Sequence, residues 1–297
     1  MKRGTTSKRS NEQSLVLERK MITRSHLLNL DRVRCVGCEL CTAVCPQEAV
    51  EFVPGVVEEG KLVQRPTVDI DPQKCNFCGE CVIVCPVNAL TMLVDGEERL
   101  PILELEAFPT LTKEITVDGS QLPKDKVDAV VECCPTEVIT VEVKRGKKGK
   151  VTKVLDVQVD ESDCIYCKQC EAESPVTFQV TRPFEGLIRL RESLCPAGCQ
   201  ACADICPTDA LLMRDGSLVL DDRFCLYCGA CARVCPVPEA LIVRRHRVRH
   251  SPVKSGAWME AVEKLVSLEM AAQEMDIKAQ AKRRSVLAYM PGFPTEE

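Results

Sequence analysis

Aromatic residues and histidines are scarce in this chain. Phe, Trp and Tyr make up 4% of its 297 residues, with one Trp, and there are three His. So small an aromatic content leaves Val, Ile, Leu and Ala to build the apolar core, which favours several small modules over one large domain. His26, His246 and His250 are not paired with carboxylates in the pattern of a catalytic site, and we expect them to be solvated.

Sequence patterns of several enzyme classes and of membrane proteins are also missing. The sequence has no glycine-rich phosphate loop, no nucleophile constellation and no open-site metal motif. No apolar run approaches membrane-spanning length, and no apolar segment of a signal peptide follows the basic start. We therefore expect a cytoplasmic protein without a transmembrane segment that is not an enzyme on its own.

Cysteine, by contrast, is abundant, and most of the 21 cysteines stand in runs. Three runs, which begin at Cys35, Cys75 and Cys225, have the spacing C-x2-C-x2-C-x3-C-P. A fourth run, which begins at Cys195, carries one extra residue before its second cysteine. This spacing is typical of 4Fe-4S cluster loops, in which the fourth cysteine of each run ligates the cluster of the partner run.

This crossing between partner runs predicts four clusters. The predicted ligand sets are Cys35, Cys38, Cys41 and Cys85 (cluster 1), Cys75, Cys78, Cys81 and Cys45 (cluster 2), Cys195, Cys199, Cys202 and Cys235 (cluster 4), and Cys225, Cys228, Cys231 and Cys206 (cluster 5).

The middle of the chain carries only half of such a pair of runs. Cys164, Cys167 and Cys170 form a run whose fourth position is Ser174, and an isolated Cys134 precedes a proline upstream. Under the crossing rule, these four cysteines are the complete ligand set of one cluster, cluster 3.

The positions that lack cysteine belong together under the same rule. Counting back from Cys134 by the usual spacing reaches Lys124, Val127 and Val130. Together with Ser174, these residues occupy the whole ligand set of one absent cluster. The sequence therefore predicts five 4Fe-4S clusters on 20 of the 21 cysteines.

Other uses of cysteine remain open. Zinc sites share the C-x2-C pair, although they require neither a third evenly spaced cysteine nor a Cys-Pro step, and disulfide scaffolds are typical of short secreted chains. The spacing of Cys195, Cys199 and Cys202 also occurs in radical S-adenosylmethionine enzymes, but the surrounding lengths leave no room for a catalytic barrel. Cys133 is either a small packing residue beside Cys134 or the true ligand in its place.

Short apolar strands recur around the cysteine runs. Alternating segments that end in Asp, such as 28–31 and 68–71, precede the cysteines, and apolar segments such as 88–94 follow the Cys-Pro steps. The predicted fold class is α+β, with tandem bacterial-type two-cluster ferredoxin modules of pseudo-twofold β-α-β repeats and a C-terminal helix. The predicted divisions are an N-terminal extension (1–26), a two-cluster module (27–97), a linker (98–110), a degenerate one-cluster module (111–182), a second two-cluster module (187–245) and a helical tail (251–297).

The tail is rich in strong helix formers and contains no Gly or Pro between Gly256 and about residue 285, which predicts a long helix. One face of this helix is approximated by Trp258, Val262, Leu265, Leu268 or Glu269, Ala272 and Met275. We expect this face to dock either on the chain's own modules or on a partner.

The charge of the chain argues against nucleic acid as a partner. The formal net charge is -5, and five oxidised clusters on 20 thiolates would make it roughly -15. Two basic stretches, 244–250 and 1–4, are predicted to be solvated surface or a docking face for an acidic partner, with RNA contact as the alternative.

A cluster that is ligated by four cysteines leaves no iron position for a substrate, so the predicted function is electron transfer. We expect the modules to lie end to end as a single wire. In such a wire, replacement of Cys167 breaks transfer through the middle.

From residue 31 to 243 the sequence resembles archaeal polyferredoxins, and most closely the polyferredoxin subunits of formylmethanofuran dehydrogenase. The narrower resemblance rests on RCVGCELC at 34–41, FPTLTKEI at 108–115 and KSGAW at 254–258. It implies an electron-transfer subunit that connects redox protein subunits of a larger complex in the reduction of CO2 during methanogenesis. Polyferredoxins of hydrogenase and heterodisulfide reductase complexes share the same loops, so these complexes remain alternatives.

Overall fold

The computed structural model of the chain describes residues 4–146, 150–252, 257–266, 279–280 and 282–283. Seventeen β-strands and eight α-helices lie in these residues, and most of the helices have only four to six residues. None of the helices in these ranges is long and apolar enough to cross a membrane. The predicted α+β class is confirmed.

The first module consists of two similar halves that exchange strands. Its elements are β1 (Thr5–Ser10), β2 (Ser14–Lys20), β3 (Ser25–Asp31), α1 (Leu40–Val44), β4 (Val50–Val53), β5 (Val56–Glu58), β6 (Lys61–Gln64), β7 (Thr67–Ile70), α2 (Glu80–Ile83), β8 (Leu90–Val94) and β9 (Glu97–Glu98). Strand β3, which enters the first cysteine run, pairs antiparallel with β8, which leaves the second. Strands β4 and β7 pair in the same way, so each half completes the other.

The N-terminal extension predicted at residues 1–26 contributes two strands to the sheet of the first module. The strand order is β1-β2-β3-β8-β9, and Leu15 and Leu17 of β2 lie opposite Leu30 and Leu28 of β3. All four leucines are buried. Their alternation along the strands places one apolar face of the hairpin against the core.

The second module follows a short helix, α3 (Pro101–Glu104), in the predicted linker. Its elements are β10 (Glu114–Val117), α4 (Val127–Glu132), β11 (Ile139–Arg145), β12 (Val151–Val159), α5 (Gln169–Glu173) and β13 (Phe178–Thr181). As in the first module, the strand that enters the first half pairs with the strand that leaves the second half, here β10 with β13. The two strands between them in the chain, β11 and β12, pair with each other.

The third module repeats this pairing. Its elements are β14 (Phe184–Leu190), α6 (Ala201–Asp204), β15 (Leu211–Arg214), β16 (Ser217–Leu220), α7 (Ala230–Val234) and β17 (Leu241–Val248). Strand β14 pairs with β17, and β15 pairs with β16.

Aspartate ends most of the strands that enter a cysteine run because its side chain forms the turn. The Asp31 carboxylate accepts a hydrogen bond from the Val33 N–H at 2.8 Å, and the Asp31 carbonyl accepts one from the Cys35 N–H at 3.0 Å. This local turn competes successfully with continued strand pairing and directs the chain into the loop. Side-chain turns recur at Asp71, Asp118, Asp160 and Asp221.

The described part of the C-terminal tail is the helix α8 (Ala257–Val266), and it docks on the chain's own modules. It packs against α1 of the first module and β17 of the third. Trp258 and Leu265 are buried, and the Trp258 ring meets the Phe108 ring edge to face, with centroids 3.8 Å apart. The remainder of the predicted long helix, including Leu268, Glu269, Ala272 and Met275, lies outside the described residues.

We expect the substitution Trp258→Ala to weaken the docking of α8 by about 3–5 kcal/mol, the usual cost of truncating a buried Trp. Faster proteolytic release of the tail from the holoprotein would report this loss. Trp258→Phe is a matched control, because the buried indole N–H has no hydrogen-bond partner among the described residues. It should release the tail at nearly the wild-type rate. Equal rates for wild type and Trp258→Ala would contradict docking in cis.

The modules do not lie end to end in chain order, so that expectation from the sequence was wrong. The first module contacts the third directly: the Arg233 guanidinium and the Glu39 carboxylate are 2.5 Å apart, and the Gln200 N–H donates to the Gly60 carbonyl at 2.7 Å. Helix α8 bridges the same two modules. Its tertiary contacts, which have no signature in the cysteine spacing, hold the first and third modules together.

Candidate metal centres

The cysteines gather in separate sets of four, each of which combines thiols from both halves of a module. Cys35, Cys38, Cys41 and Cys85 line one small cavity in the first module. The first three belong to the run in the first half, whereas Cys85 comes from the run in the second half.

The middle module has a second cavity of the same kind. It is lined by Cys164, Cys167 and Cys170 from one run and by Cys134 from the other half. Cys133 lies beside it, half-buried, and its thiol donates to the Val130 carbonyl at 3.1 Å. The thiol that lines the cavity is therefore that of Cys134.

For the other three proposed sets, the effects of the thiols on one another's pKa agree with the crossing between halves. Cys45 raises the pKa of the thiols in the run from Cys75 to Cys81, although burial is the larger cause there. Cys206 acts in the same way on the run that begins at Cys225, and Cys235 on the thiols of Cys195 and Cys202. Cys45, Cys206 and Cys235, which precede prolines, thus act on thiols of the opposite half of their module.

Whereas the loop that begins at Cys195 has one residue in the left-handed backbone conformation, Gly198, each of the other cysteine loops has two, and these make the C-x2-C spacing possible. In the first half of the first module these are Gly37 (φ 61°), directly before the second cysteine, and Glu39 (φ 64°), directly after it. The equivalent residue before the second cysteine is Tyr166 in the middle module and Tyr227 in the third, and the N–H of each donates to the first sulfur of its run at 3.4 and 3.3 Å. The loop thus turns its N–H groups inward, towards the sulfurs.

The Cys-Pro step makes a corner of its own. Proline disfavours a helical backbone for the residue before it, and helix α1 accordingly ends at the extended Cys45. Two residues beyond the proline the chain again turns left-handed, at Glu48 and, in the second half, at Asn88. The following N–H groups, of Ala49 and Ala89, donate to the sulfurs of the Cys-Pro cysteines at 3.3 and 3.2 Å.

Burial keeps these thiols protonated while they carry no metal. It raises the pKa of Cys78, Cys167 and Cys228 to about 11 and that of Cys170 to about 12. A thiol with so high a pKa is neutral at pH 7, so ligation must displace its proton, and positive iron must offset the desolvated thiolate.

The donor sets fit 4Fe-4S clusters, since each supplies four thiols, and main-chain N–H groups point at the sulfurs. Among the described residues, no group of three or more His, Cys, Asp or Glu side chains converges on a point where a single metal ion could be held. Four thiolates around a cube of four irons stand further apart than four around one ion, because each binds a different iron. A cube accounts for thiols that line a cavity in this way.

The four positions without cysteine lie in the middle module, where apolar side chains fill the space. Val127 and Val130 of α4 are buried and belong to one core cluster with Phe178. Ser174 is also buried, and its hydroxyl lies 2.8 Å from the Thr177 hydroxyl, which satisfies both polar groups. Lys124, the remaining position, is exposed to solvent.

Basic residues beside the cysteine loops are the part of these sites that sequence reasoning missed. Arg19 donates to the Cys75 carbonyl at 2.6 Å, and Arg182 donates to the Cys225 carbonyl at 2.5 Å. Arg245 lies in the stretch 244–250 that was predicted to be surface, but it is partly buried and points into the third module. No pattern in the sequence distinguishes Arg245 from Arg244, its exposed neighbour.

Comparison with known protein families supports the assignment of the loops. The family described as 4Fe-4S dicluster domain matches residues 34–89 and 194–238. An uncharacterized ferredoxin of Methanocaldococcus jannaschii is 29% identical over 138 residues, which cover 42% of this chain and 82% of that protein. A polyferredoxin protein of Methanothermobacter marburgensis is 31% identical over 108 residues, and formate hydrogenlyase subunit 2 of Escherichia coli is 31% identical over 90 residues. The chain spans only 25% and 44% of the last two proteins.

One solved structure is similar to this chain over most of the length of both chains. It is a chain of the formate dehydrogenase, heterodisulfide reductase and formylmethanofuran dehydrogenase complex from Methanospirillum hungatei. The two chains superpose with a TM-score of 0.74 at 28% identity, over 88% of this chain and 91% of that one. The resemblance to ferredoxins and polyferredoxins expected from the sequence is thus confirmed.

Proposed function

We propose that this chain, an iron–sulfur electron-transfer protein related to polyferredoxins, carries five 4Fe-4S clusters and conducts electrons between redox subunits of a larger complex. The observation that carries the proposal is the pair of small cavities, one in the first module and one in the middle module, that are each lined by four cysteines from both halves of the module. The same cysteine spacing in the remaining runs supports the other three clusters. We assign the ligands as the sequence predicts, with Cys133 excluded.

When bound, each cluster supplies a one-electron couple without an open iron position. The residues of the chain do the rest. Thiols hold the irons, main-chain N–H groups such as those of Ala49 and Ala89 donate to the sulfurs, and buried apolar side chains exclude water. Hydrogen bonds to the sulfurs and the depth of burial are the means by which a protein sets the potential of such a couple.

We further propose that the complex is of the formylmethanofuran dehydrogenase type, acting in CO2 reduction and methanogenesis in the cytoplasm of an archaeon. Support comes from the similarity to a chain of the Methanospirillum hungatei complex over nine tenths of that chain's length. An association with a hydrogenase or a heterodisulfide reductase is the alternative, because polyferredoxin and formate hydrogenlyase relatives match shorter segments.

Anaerobic purification of the native complex, followed by identification of its subunits, tests this choice. We expect subunits of a formylmethanofuran dehydrogenase to accompany the chain. Hydrogenase subunits without that enzyme would favour the alternative.

A radical S-adenosylmethionine enzyme is the competing function of another class. It requires a cluster with only three cysteine ligands, and Cys195, Cys199 and Cys202 have the spacing. The Cys235 thiol is the largest electrostatic influence on the pKa of Cys195 and Cys202 after burial, so a fourth thiol lies with these three. Binding of S-adenosylmethionine to the loaded chain would nevertheless favour the enzyme.

Iron analysis of the anaerobically prepared chain should find about 20 irons, four for each of five cubes. Cys134→Ser should lower the count to about 16, because it removes a ligand of the middle cluster. Cys133→Ser is the matched control and should leave about 20. A wild-type count of about 24 would mean a sixth cluster, and a loss of iron in Cys133→Ser alone would exchange the roles of the two cysteines.

A further inference from the structure

Thiols of different ligand sets lie near one another at three places. In the first module Cys81 of cluster 2 raises the pKa of Cys41 of cluster 1, and in the third module Cys202 of cluster 4 raises that of Cys231 of cluster 5. Burial is the larger cause of the raised pKa of both Cys41 and Cys231. These two contacts join the two clusters within a module.

The third contact crosses between modules. After burial, the strongest influence on the pKa of Cys38 in the first module is the Cys228 thiol of the third module, ahead of Cys41 from its own set. Glu39 directly follows Cys38 in the first module. Its ion pair with Arg233 of the third module fixes the same two loops against each other. The cysteine loops of clusters 1 and 5 thus lie side by side at the boundary between the first and third modules.

Arg245 lies at this crossing. Its guanidinium donates to the carbonyls of Tyr227 and Cys228 at 2.8 and 3.2 Å and to the Leu265 carbonyl of α8 at 2.5 Å. Burial lowers the pKa of Arg245, and the Cys38 and Cys228 thiols are the groups that raise it most. One planar, permanently charged side chain therefore ties a cysteine loop to the bridging helix while facing thiols of both modules.

The middle module is attached to the first module. The Arg34 guanidinium binds the Asp163 carboxylate through two bonds of 2.6 and 2.8 Å, and the Asn88 amide donates to the Cys164 carbonyl at 2.9 Å. Lys113 lines one small cavity together with Cys164 and with Cys85 of the first module.

After burial, the thiols that most raise the pKa of Cys167 and Cys170 are those of the middle module: Cys133, Cys134, Cys164 and Cys167. On the far side, Gln169 donates to the Thr208 carbonyl of the third module at 2.7 Å. The middle module therefore touches both neighbours, which also contact each other directly.

We infer that electrons pass directly between the first and third modules at the two cysteine loops that the ion pair of Glu39 and Arg233 joins, that Arg245 is the positioning residue of this junction, and that the middle cluster is a side branch. The inference rests on the proposed function. In the step, one electron leaves the first module as the third gains it, or the reverse, and no bond or proton is exchanged. External redox subunits supply and remove the electron. A fixed positive charge favours the more negative, reduced state on both sides.

Substitution of Arg245 tests the junction. In Arg245→Gln we expect a normal iron content, a loss of the spin–spin interaction between the two junction clusters in electron paramagnetic resonance of the reduced chain, and a shift of both potentials to lower values. Arg245→Lys keeps the charge but lacks the planar fork of the guanidinium. Its cluster potentials should therefore be close to those of the wild type, whereas its spin–spin interaction should stay weaker than in the wild type. Arg244→Gln removes an exposed charge from the adjacent position and should leave both unchanged. Unaltered potentials and interaction in Arg245→Gln would overturn the assignment.

Removal of the middle cluster tests the branch. Cys167→Ser should lower the iron content by about four while the interaction across the junction persists. Arg34→Gln, which releases the ion pair with Asp163 and spares every ligand, should also preserve it. Loss of the interaction in both variants would place the middle cluster in the path and overturn the branch. A wild-type chain that binds iron but accepts no electrons from dithionite would instead refute the proposed function.

Discussion

Removing the iron is expected to unfold most of this chain. The cysteines are themselves a large part of the core, since ten of the 21 are buried, and the rest are partly buried. An empty cavity lined by neutral thiols loses the ligand bonds that hold the two halves of a module together. Small modules with few aromatic residues bury too little apolar surface to compensate.

The measurement is far-ultraviolet circular dichroism before and after anaerobic chelation, followed by addition of iron and sulfide. We expect a large loss of the strand and helix signal and its recovery on reconstitution. Hydrogen exchange adds a built-in control. The amide of Val130 lies in the apolar half of the middle module, where we propose no cluster, and should retain more protection than that of Cys41. A chain that keeps its full signal without iron would contradict metal-dependent folding.

The second large effect concerns the exchange of cysteines between halves. If Cys85 serves the run that begins at Cys35, then Cys85→Ser damages cluster 1, and Cys45→Ser damages cluster 2. Both variants should lose up to about four of 20 irons, so the iron count does not distinguish them. The spin–spin interaction across the junction between the first and third modules does distinguish the two variants, because cluster 1 adjoins that junction.

We therefore expect the spin–spin interaction across the junction to disappear in Cys85→Ser and to persist in Cys45→Ser. The two substitutions are matched, since both replace a half-buried cysteine before proline with an isosteric residue. If each run used its own fourth cysteine, the two results would be interchanged. Persistence of the interaction in both variants would remove cluster 1 from the junction.

Local features of the fold were predictable from the sequence because short-range chemistry determines them. The segments that end at Asp31 and Asp71 form strands, and the Asp side chains make the turns that follow. The fully buried Val130 and the paired hydroxyl of Ser174 stand at positions that the spacing rule marks as lacking ligands. Which thiols bind a common cluster stays a prediction until iron is measured in the variants.

Contacts between distant parts of the chain were not predictable in this way. The N-terminal hairpin was treated as an extension because its short polar strand gives a weak apolar alternation, and its place beside β3 depends on tertiary packing. Arg245 was grouped with a run of basic residues, since composition cannot tell which member of a strand faces inward. The order of the modules depends on α8 and on ion pairs such as Arg34 with Asp163, which join residues far apart in sequence.

The N-terminal hairpin also changes what the first module presents to other molecules. Without it, β3, with its buried Leu28 and Leu30, would be the outer strand of its sheet, and an apolar outer strand invites association with another copy. The hairpin substitutes β1, whose sequence TTSKRS is polar and carries Lys8 and Arg9. Charged side chains on an edge strand discourage such pairing, so the hairpin protects the protein against aggregation.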